Sequence, residues 1–402
     1  MTGITTGDFD VAVVGAGPAG LAAGIAMAEL GLVTAVIGPP ADPRDGRTAA
    51  LFQSSITFLE RIGAWHAIEP SSARLAAIRL IDATGALFRA PEVTFRASDI
   101  GSPAFGYNVP NAVLTAALET LAAARTTRLH TARVTSIAPS ESGVTLTTAE
   151  GARITCRLAA AADGRQSAGR AAAGIPVKSW AYDQAAIVCT FSHSRPHDQI
   201  STEFHRRCGP LTVVPGPGKR SNLVWVDNIA EAERLASLDD DAFSTELAQH
   251  LQGLLGSLTL ETPRRMFPLS GQTAEPLAKN RIALIGEAGH VIPPIGAQGL
   301  NLSFRDAATL ADIAATARQA GEDIGGPNAL AAYADARRFD VTSRVWTIDL
   351  LNRSLLSEFA PVHAARGLGL FALKTLPALR RHLMREGIAP PNAMPRLMQP
   401  VI

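Results

Sequence analysis

A chain of 402 residues, 47% hydrophobic and 18% charged, is long enough for two or three domains around substantial cores. Its net charge of +1 gives no overall field that favours nucleic acid, and its 34 glycines and 26 prolines mark frequent turns rather than disorder. Cys156, Cys189 and Cys208 lack metal-ligand spacing and cannot all pair, so a reducing cytoplasm is the expected compartment.

No uninterrupted apolar run of about 18 residues is present to cross a membrane. "FDVAVVGAGPAGLAAGIAMAELG" has no basic start and reads as structure rather than as a secretory signal: a buried strand, a glycine turn, and a helix ending at Gly31. "VTAVIG" is a second buried strand that completes a βαβ unit. After a loop with Pro39, Pro40 and Pro43, "RTAALFQSSITFLERIG" predicts a helix capped by Gly63. "AAIRLIDATGALF" alternates like a strand, with Gly85 in its turn, and "NAVLTAALETLAAA" reads as a helix. "RVTSIAPSESGVTLTT" gives short alternating strands, and "RITCRLAAAADG" another buried one. From Trp180 to Trp225, "QAAIVCTFS", "STEFHR", "LTVV" and "SNLVWV" predict short strands of a mainly antiparallel sheet. Helices are expected around 231–236 and 241–255. "RIALIG" returns as a parallel-type strand, and the chain is helical from about 300, with breaks at Gly325-Gly326-Pro327 and near Gly367.

Gly15-x-Gly17-x-x-Gly20 lies between a strand and a helix, where glycines let backbone approach a pyrophosphate at the helix N-terminus. A tight structural turn is the plain alternative. The acid that should hold a ribose about twenty residues on is absent, and Gly38 stands in its place. Asp45 and Arg47 are the nearest polar candidates. Two further motifs accompany the turn: "AADGRQSAGR", carrying Asp163 and Gly164, and "GEAGHVIPPIGAQGLNLSFRD" from 286 to 306.

In this order and spacing the three motifs resemble the fingerprints of the flavin-dependent aromatic hydroxylases. The resemblance implies an α/β fold: a Rossmann-like FAD-binding domain of the p-hydroxybenzoate-hydroxylase type, an inserted mainly antiparallel substrate domain, and a helical C-terminal region. The expected division is 1–72, 103–177 and 278–320 for FAD, 73–102 and 178–277 for substrate, and 321–402 for the helical end. FAD is the implied cofactor, held by Gly15, Gly17, Pro18, Ala19, Gly20, Arg47, the backbone near Val134, Asp163, Gly164, Gly286 and Glu287. At the flavin ring the implied contacts are Gly296, Gln298, Gly299, Leu300 and Asn301, with the carbonyl of Pro294 near the reacting carbon. Family members commonly have Asp or Asn where Glu287 stands and Ala where Gly289 stands.

The stretch from Trp180 to Val226 and "MREGIAPPNAMPRLM" are similar to the hydroxylases of ubiquinone biosynthesis. That similarity implies hydroxylation of a polyprenylated phenol by O2 through a flavin C4a-hydroperoxide. NAD(P)H or a ferredoxin-type protein is the expected reductant, and other ubiquinone-biosynthesis proteins are candidate partners. A hydroxylase of a soluble aromatic acid and a non-catalytic FAD-binding scaffold are the alternatives. His290 reads as a buried residue holding its loop, since no partner acid is evident in the sequence. Tyr182, Asn222 and Trp225 are candidates for the phenol hydroxyl. His193, His197 and His205 are read as structural rather than as a metal site, because no second ligand cluster accompanies them. Finally, "ARGLGLFALKTLPALRRHLMREG" combines apolar and basic residues; such a stripe is read first as packing on the body of the protein, with an interfacial helix broken at Pro377, in peripheral contact with the inner face of the membrane, as the alternative.

Overall fold

The computed structural model describes residues 7–40, 42, 45–85, 91–125, 128–356, 369, 371–388 and 394–400. In chain order its helices are α1 (Pro18–Glu29), α2 (Gln53–Arg61), α3 (Trp65–Ile68), α4 (Asn111–Ala124), α5 (Ala168–Ala172), α6 (Ile229–Ser237), α7 (Asp240–His250), α8 (Gln298–Gln319), α9 (Pro327–Leu356) and α10 (Pro377–Ile388). Pro43, Gly367, Leu368 and Leu370 fall outside the described residues.

The first sheet is built around Gly7–Val14, whose Val11, Ala12 and Val13 are fully buried, as befits a parallel strand covered on both faces. It runs parallel to Thr34–Ile37 on one side and Arg153–Ala161 on the other. Arg153–Ala161 in turn pairs in parallel with Ile282–Leu284, and Arg128–His130 lies beyond Thr34–Ile37. Antiparallel strands Val144–Thr148 and Val134–Pro139 continue from Arg153–Ala161. On one face α1 packs between α4 and α8, burying Leu21, Ile25, Leu114, Leu118, Leu302 and Phe304 in the main core.

The register has one consequence for function. Val14 pairs with both Ile37 and Ala161, and Ala161 pairs with Leu284. Each strand therefore ends at the same level, and hydrogen bonds continue past the ends: Gly15 N to Ile37 O, Ala162 N to Val14 O, and Ile285 N to Ala161 O. The segments beginning at Gly15, Asp163 and Gly286 all leave from this one carboxyl edge.

The second sheet is centred on Val177–His193, flanked by antiparallel Arg220–Asn228 and Arg265–Ala274. Gly209–Pro215 and Ile200–Arg206 extend it; Ala77–Asp82 runs parallel to Ile200–Arg206, and Val93–Arg96 pairs antiparallel beyond it. The central strand is longer than its periodicity predicts, starting at Val177 rather than Gln184, because a shift in register between Ala181 and Ala185 carries it past a bend. Helices α6 and α7 cover one face, packing Leu235, Phe243 and Leu247 on Ile187, Phe191, Leu223 and Trp225. Ala186, Val226, Leu269 and Tyr182 form a separate apolar cluster.

The helix expected over 47–63 is two elements. Thr48–Phe52 is a strand, paired antiparallel with Gly106–Pro110, and only Gln53–Arg61 is helical. "TAALF" would suit a helix, but main-chain pairing outweighs that local preference. By contrast α4 spans the stretch read from the sequence, and Gly31 follows α1 at φ +84°.

Candidate active site

Two kinds of glycine line the carboxyl edge of the first sheet. At Gly15, φ is +115° and a Cβ would stand 2.2 Å from Ala162 O; at Gly20 it would stand 1.9 Å from Gly15 O. Gly286, at φ +61°, would meet Ser303 Oγ at 2.7 Å. These three glycines are demanded by the protein's own packing. Gly38 belongs with them, since a Cβ there would lie 2.5 Å from Ala16 N. The missing ribose acid is thus explained: the second strand ends too close to the glycine turn for any side chain.

Gly17 and Gly299 are different. Gly17 has an ordinary φ of −75°, and a Cβ at either position would meet nothing within 4 Å beyond its chain neighbours and its own helix backbone. Nothing in the chain requires glycine at these two sites. Both stand at helix starts: Gly17 is the N-cap of α1, ahead of Pro18 and Ala19, and Gly299 lies in the first turn of α8, ahead of Leu300. Neither helix has a capping side chain or an acidic residue in its first turn, so their N–H groups remain free to meet an anion or a developing negative charge. Gly164 and Gly296 also face open space, although positive φ values of +81° and +66° account for their glycines.

Asp163 adds the polar counterpart. Its Oδ2 accepts from Gly169 N at 3.0 Å, while its buried Oδ1 has no hydrogen-bond partner. A buried carboxylate oxygen without a donor is costly, and it marks a place where a ligand hydroxyl would fit.

Other sequence candidates sit less simply. Arg47 is bidentate to Asp45, at 2.8 Å from both Nε and Nη2, and this pairing raises its pKa. Its guanidinium lies 5.8 Å from the Phe267 ring and feels the charge of Glu287. The half-exposed carboxylate of Glu287 takes a 3.3 Å contact from Arg165 Nε at the rim of this edge. Val134 starts a strand two removed from the central ones and packs on the cluster holding Val14 and Ile37. Pro294 is exposed between buried Pro293 and Ile295.

Asn301 also changes meaning. Its Oδ1 accepts from Phe52 N and Ser55 Oγ, and its Nδ2 donates to Ala50 O and Ala297 O. That side chain is committed to tying the start of α8 to the small sheet, which leaves only its main chain for a ligand. Ala297, the residue before α8, is held at φ 54° by this arrangement, a costly conformation for a residue with a side chain.

The expectation that His290 lacks a partner acid is overturned. Its Nε2 lies 2.6 Å from Asp306 Oδ2, which also accepts from Gly286 N. Burial raises the Asp306 pKa, but His290 and the Arg337 guanidinium more than offset this and hold it below the usual carboxylate range. Arg337 bridges Asp306 to Asp340, which also receives Arg305 and Arg344. Sequence reasoning missed this cluster, although Arg337, Asp340 and Arg344 show the i, i+3 and i+4 spacing of a charged helix face.

Of the phenol-binding candidates, Trp225 is fully buried beneath α7, and both ends of the Asn222 amide are used by Asn108 and Thr190. Tyr182 donates to Asp349 at 2.5 Å, and burial together with that bond pushes its hydroxyl up to about 12. His193 bonds Arg195 O and Ser221, His197 bonds Gly216 O, and His205 bonds Glu203. Among the described residues no group of three potential ligands could hold a metal ion.

A glycine turn, a second carboxyl-edge acid and a bare helix start on this fold are the features of a dinucleotide-binding protein, and residues 8–345 match the family model described as FAD binding domain. Across 399 residues the chain is 34% identical to ubiquinone hydroxylase UbiL of Rhodospirillum rubrum, covering 96% of this chain and 91% of UbiL. It is 28% identical to the 3-demethoxyubiquinol 3-hydroxylase of Escherichia coli, covering 96% of this chain and all of that protein (100%). Among solved structures, Klebsiella pneumoniae HpxO complexed with FAD matches with a TM-score of 0.75 at 19% identity, over 94% of this chain and 98% of HpxO, which speaks to the fold. The chain belongs to the FAD-binding family of ubiquinone-biosynthesis hydroxylases.

Proposed function

We propose that this protein is an FAD-dependent monooxygenase that hydroxylates the aromatic ring of a polyprenylated phenol in ubiquinone biosynthesis. The observation that carries the reading is the pair Gly17 and Gly299, where the protein has no packing or conformational reason for glycine and bare helix starts face open space. The unpartnered Asp163 Oδ1 supports the same ligand, since FAD brings hydroxyls as well as phosphates.

The residues fit FAD in a definite order. Gly15, Gly17, Pro18, Ala19 and Gly20 at the start of α1 would hold the pyrophosphate, with Arg47 nearby. Asp163, Gly164 and Gly286 would meet the middle of the cofactor, Val134 its adenine, and residues 296–301 the flavin ring. When bound, FAD supplies the redox chemistry that activates O2, which no side chain of this chain can do. The free N–H groups of α8 stabilise negative charge at the edge they face. Pro293, Pro294 and Ile295 present backbone and small apolar surface, excluding water from the ring. NAD(P)H is the proposed reductant.

We place the substrate in the second sheet and adjoining strands, 73–102 and 178–277, with the FAD-binding pieces at 1–72, 103–177 and 278–320 and a helical end at 321–402. A prenyl chain calls for an apolar slot, whereas the carboxylate of a soluble aromatic acid calls for a cation. Access to such a substrate calls for a lipid surface. Phe339, Trp346 and Leu350 are 80%, 71% and 62% exposed along one side of α9, and Phe371, Leu376 and Leu379 are exposed further on. Exposed Lys374 and Arg381 lie beside the latter group, a composition suited to anionic membranes, while Arg338 and Arg353 beside the former are paired with Asp335 and Asp349. Among the described residues no helix is long and apolar enough to cross a membrane.

The test is reconstitution. Purified protein should be yellow, and with NAD(P)H and O2 it should add one oxygen to a polyprenylated phenol, read by mass spectrometry. Deletion of its gene should cause the unhydroxylated quinone precursor to accumulate. An unchanged quinone pool with turnover of a soluble aromatic acid would replace this substrate, and a colourless protein that ignores added FAD would leave a scaffold.

A further inference from the structure

Gln298 is the first residue of α8 and follows the left-handed Ala297. Its side-chain oxygen accepts a 2.6 Å hydrogen bond from Arg344 Nη1, which reaches across from α9. An arginine guanidinium only donates, so this bond settles which way the amide points. With oxygen turned to Arg344, the two N–H donors of Nε2 point away from it. They have no hydrogen-bond acceptor among the described residues.

Arg344 has little freedom to release that amide. Its Nε donates at 2.7 Å to Asp340 Oδ1, and Asp340 is fixed by Arg305 at 2.7 and 2.8 Å and by Arg337 at 2.9 Å. Arg337 continues to Asp306 at 2.8 Å, the carboxylate that binds Gly286 N. The chain of ions thus anchors both the start of the glycine-rich segment and the start of α8. Its far end is aimed at a single rotatable amide.

From this geometry we infer that Arg344 is a positioning residue, which locks the Gln298 amide so that its N–H donors face the flavin ring rather than its oxygen. This rests on the FAD reading above and adds to it a side-chain donor beside the main-chain N–H groups of α8. A locked donor favours the reduced, more electron-rich flavin, so the bound cofactor becomes easier to reduce.

The experiment measures the midpoint potential and visible spectrum of bound FAD, alongside thermal stability, in four proteins. Gln298→Glu keeps an oxygen for Arg344 but removes the donors, and an acid in the first turn does not weaken the helix. It should disfavour reduction at least tenfold, about 30 mV for a two-electron couple, with unchanged stability. Arg344→Met frees the amide and should move the potential the same way while also lowering stability. Arg344→Lys retains a donor to Gln298 and should restore most of the parent potential. A merely structural Arg344 would lower stability in Arg344→Met yet leave the potential and spectrum of that variant at parent values, and that result would overturn the inference. Failure of the parent protein itself to take up FAD would instead sink the functional reading.

Discussion

The carboxyl edge of the first sheet and the ionic clamp between α8 and α9 meet on the same helix, yet they are built in opposite ways. At the edge, Gly17 and Gly299 leave space, the α1 and α8 starts lack caps, and Asp163 keeps a free oxygen. In the clamp, Arg305, Asp306, Arg337 and Asp340 are almost completely buried and bonded to one another. A region that must receive a ligand keeps open space and uncapped helix N–H groups, while the region that holds it steady pairs buried charges with one another. Of the clamp's guanidinium atoms, only Arg305 Nη2 and Arg337 Nη2 are buried without an acceptor among the described residues. The clamp is therefore expected to control stability and the edge to control binding, and each substitution below separates or merges those two properties.

The largest effect is expected where the edge is itself structural. Gly15→Ala would place a Cβ 2.2 Å from Ala162 O at a φ of +115°, in the middle of the main-chain bonds joining the central strands. The expected outcome is loss of soluble folded protein together with loss of FAD, assayed by expression, circular dichroism and flavin absorbance. A folded variant lacking only FAD would mean that the sheet edge tolerates movement its hydrogen bonds forbid.

Next comes the clamp. Arg337→Met removes the cation that buried Asp306 and Asp340 share, leaving Asp306 with His290 and Asp340 with Arg305 and Arg344, so the expected loss lies toward the lower end of the about 3–5 kcal/mol of a broken buried pair. Urea unfolding should register that loss, whereas the FAD retained by the folded fraction should be near the parent level. A neutral result would show that the buried ions are replaceable packing.

A pH profile gives a graded version of the same test. Arg337, Arg305 and Arg344 overcome the burial penalty on Asp340 and hold its pKa well below the ordinary value, as His290 and Arg337 do for Asp306. Groups depressed in the folded state stabilise it above their unfolded pKa of about 3.9. That contribution disappears as pH falls from about 4 through the lower folded values. Denaturation midpoints should drop across this acid window, and Asp340→Asn should make the drop shallower. A parent profile as flat as that of the variant would contradict the assigned pairing.

The two regions also differed in how far the sequence announced them. Gly15, Gly17 and Gly20 carry a spacing with a mechanism, and strand periodicity placed "RITCRLAAAADG" and "RIALIG" ahead of the other two motifs. Residue type alone could not separate the glycines needed for packing from those facing empty space, because that depends on strands far apart in sequence. Gly38 illustrates it, being explained only by Ala16 across the βαβ unit. The clamp uses common arginines and aspartates at ordinary helical spacing, so only the packing of α8 on α9 gives them significance. For the same reason His290 read as unpartnered: Asp306 lies on a different element, and its approach is set by Gly286 N. Thr48–Phe52 failed as a helix because its antiparallel partner, Gly106–Pro110, comes more than fifty residues later.

The smallest change in stability should belong to the two glycines that the protein does not itself require, and this sharpens the comparison most. Gly17→Ala adds a methyl at an ordinary φ with nothing within 4 Å beyond its chain neighbours and its own helix backbone, so its cost is confined to a weaker N-cap, below about 1 kcal/mol. Gly299→Ala, also unobstructed, lies inside the first turn of α8, where alanine is the better helix former by about 1 kcal/mol. Both variants should fold and melt close to the parent. If the open space belongs to a ligand, each methyl enters its contact surface, and FAD affinity measured by fluorescence quenching should fall at least tenfold. Parent-like affinity in both would mean that the bare helix starts face solvent rather than cofactor. Loss in Gly17→Ala alone would keep the pyrophosphate end and move the ring away from α8.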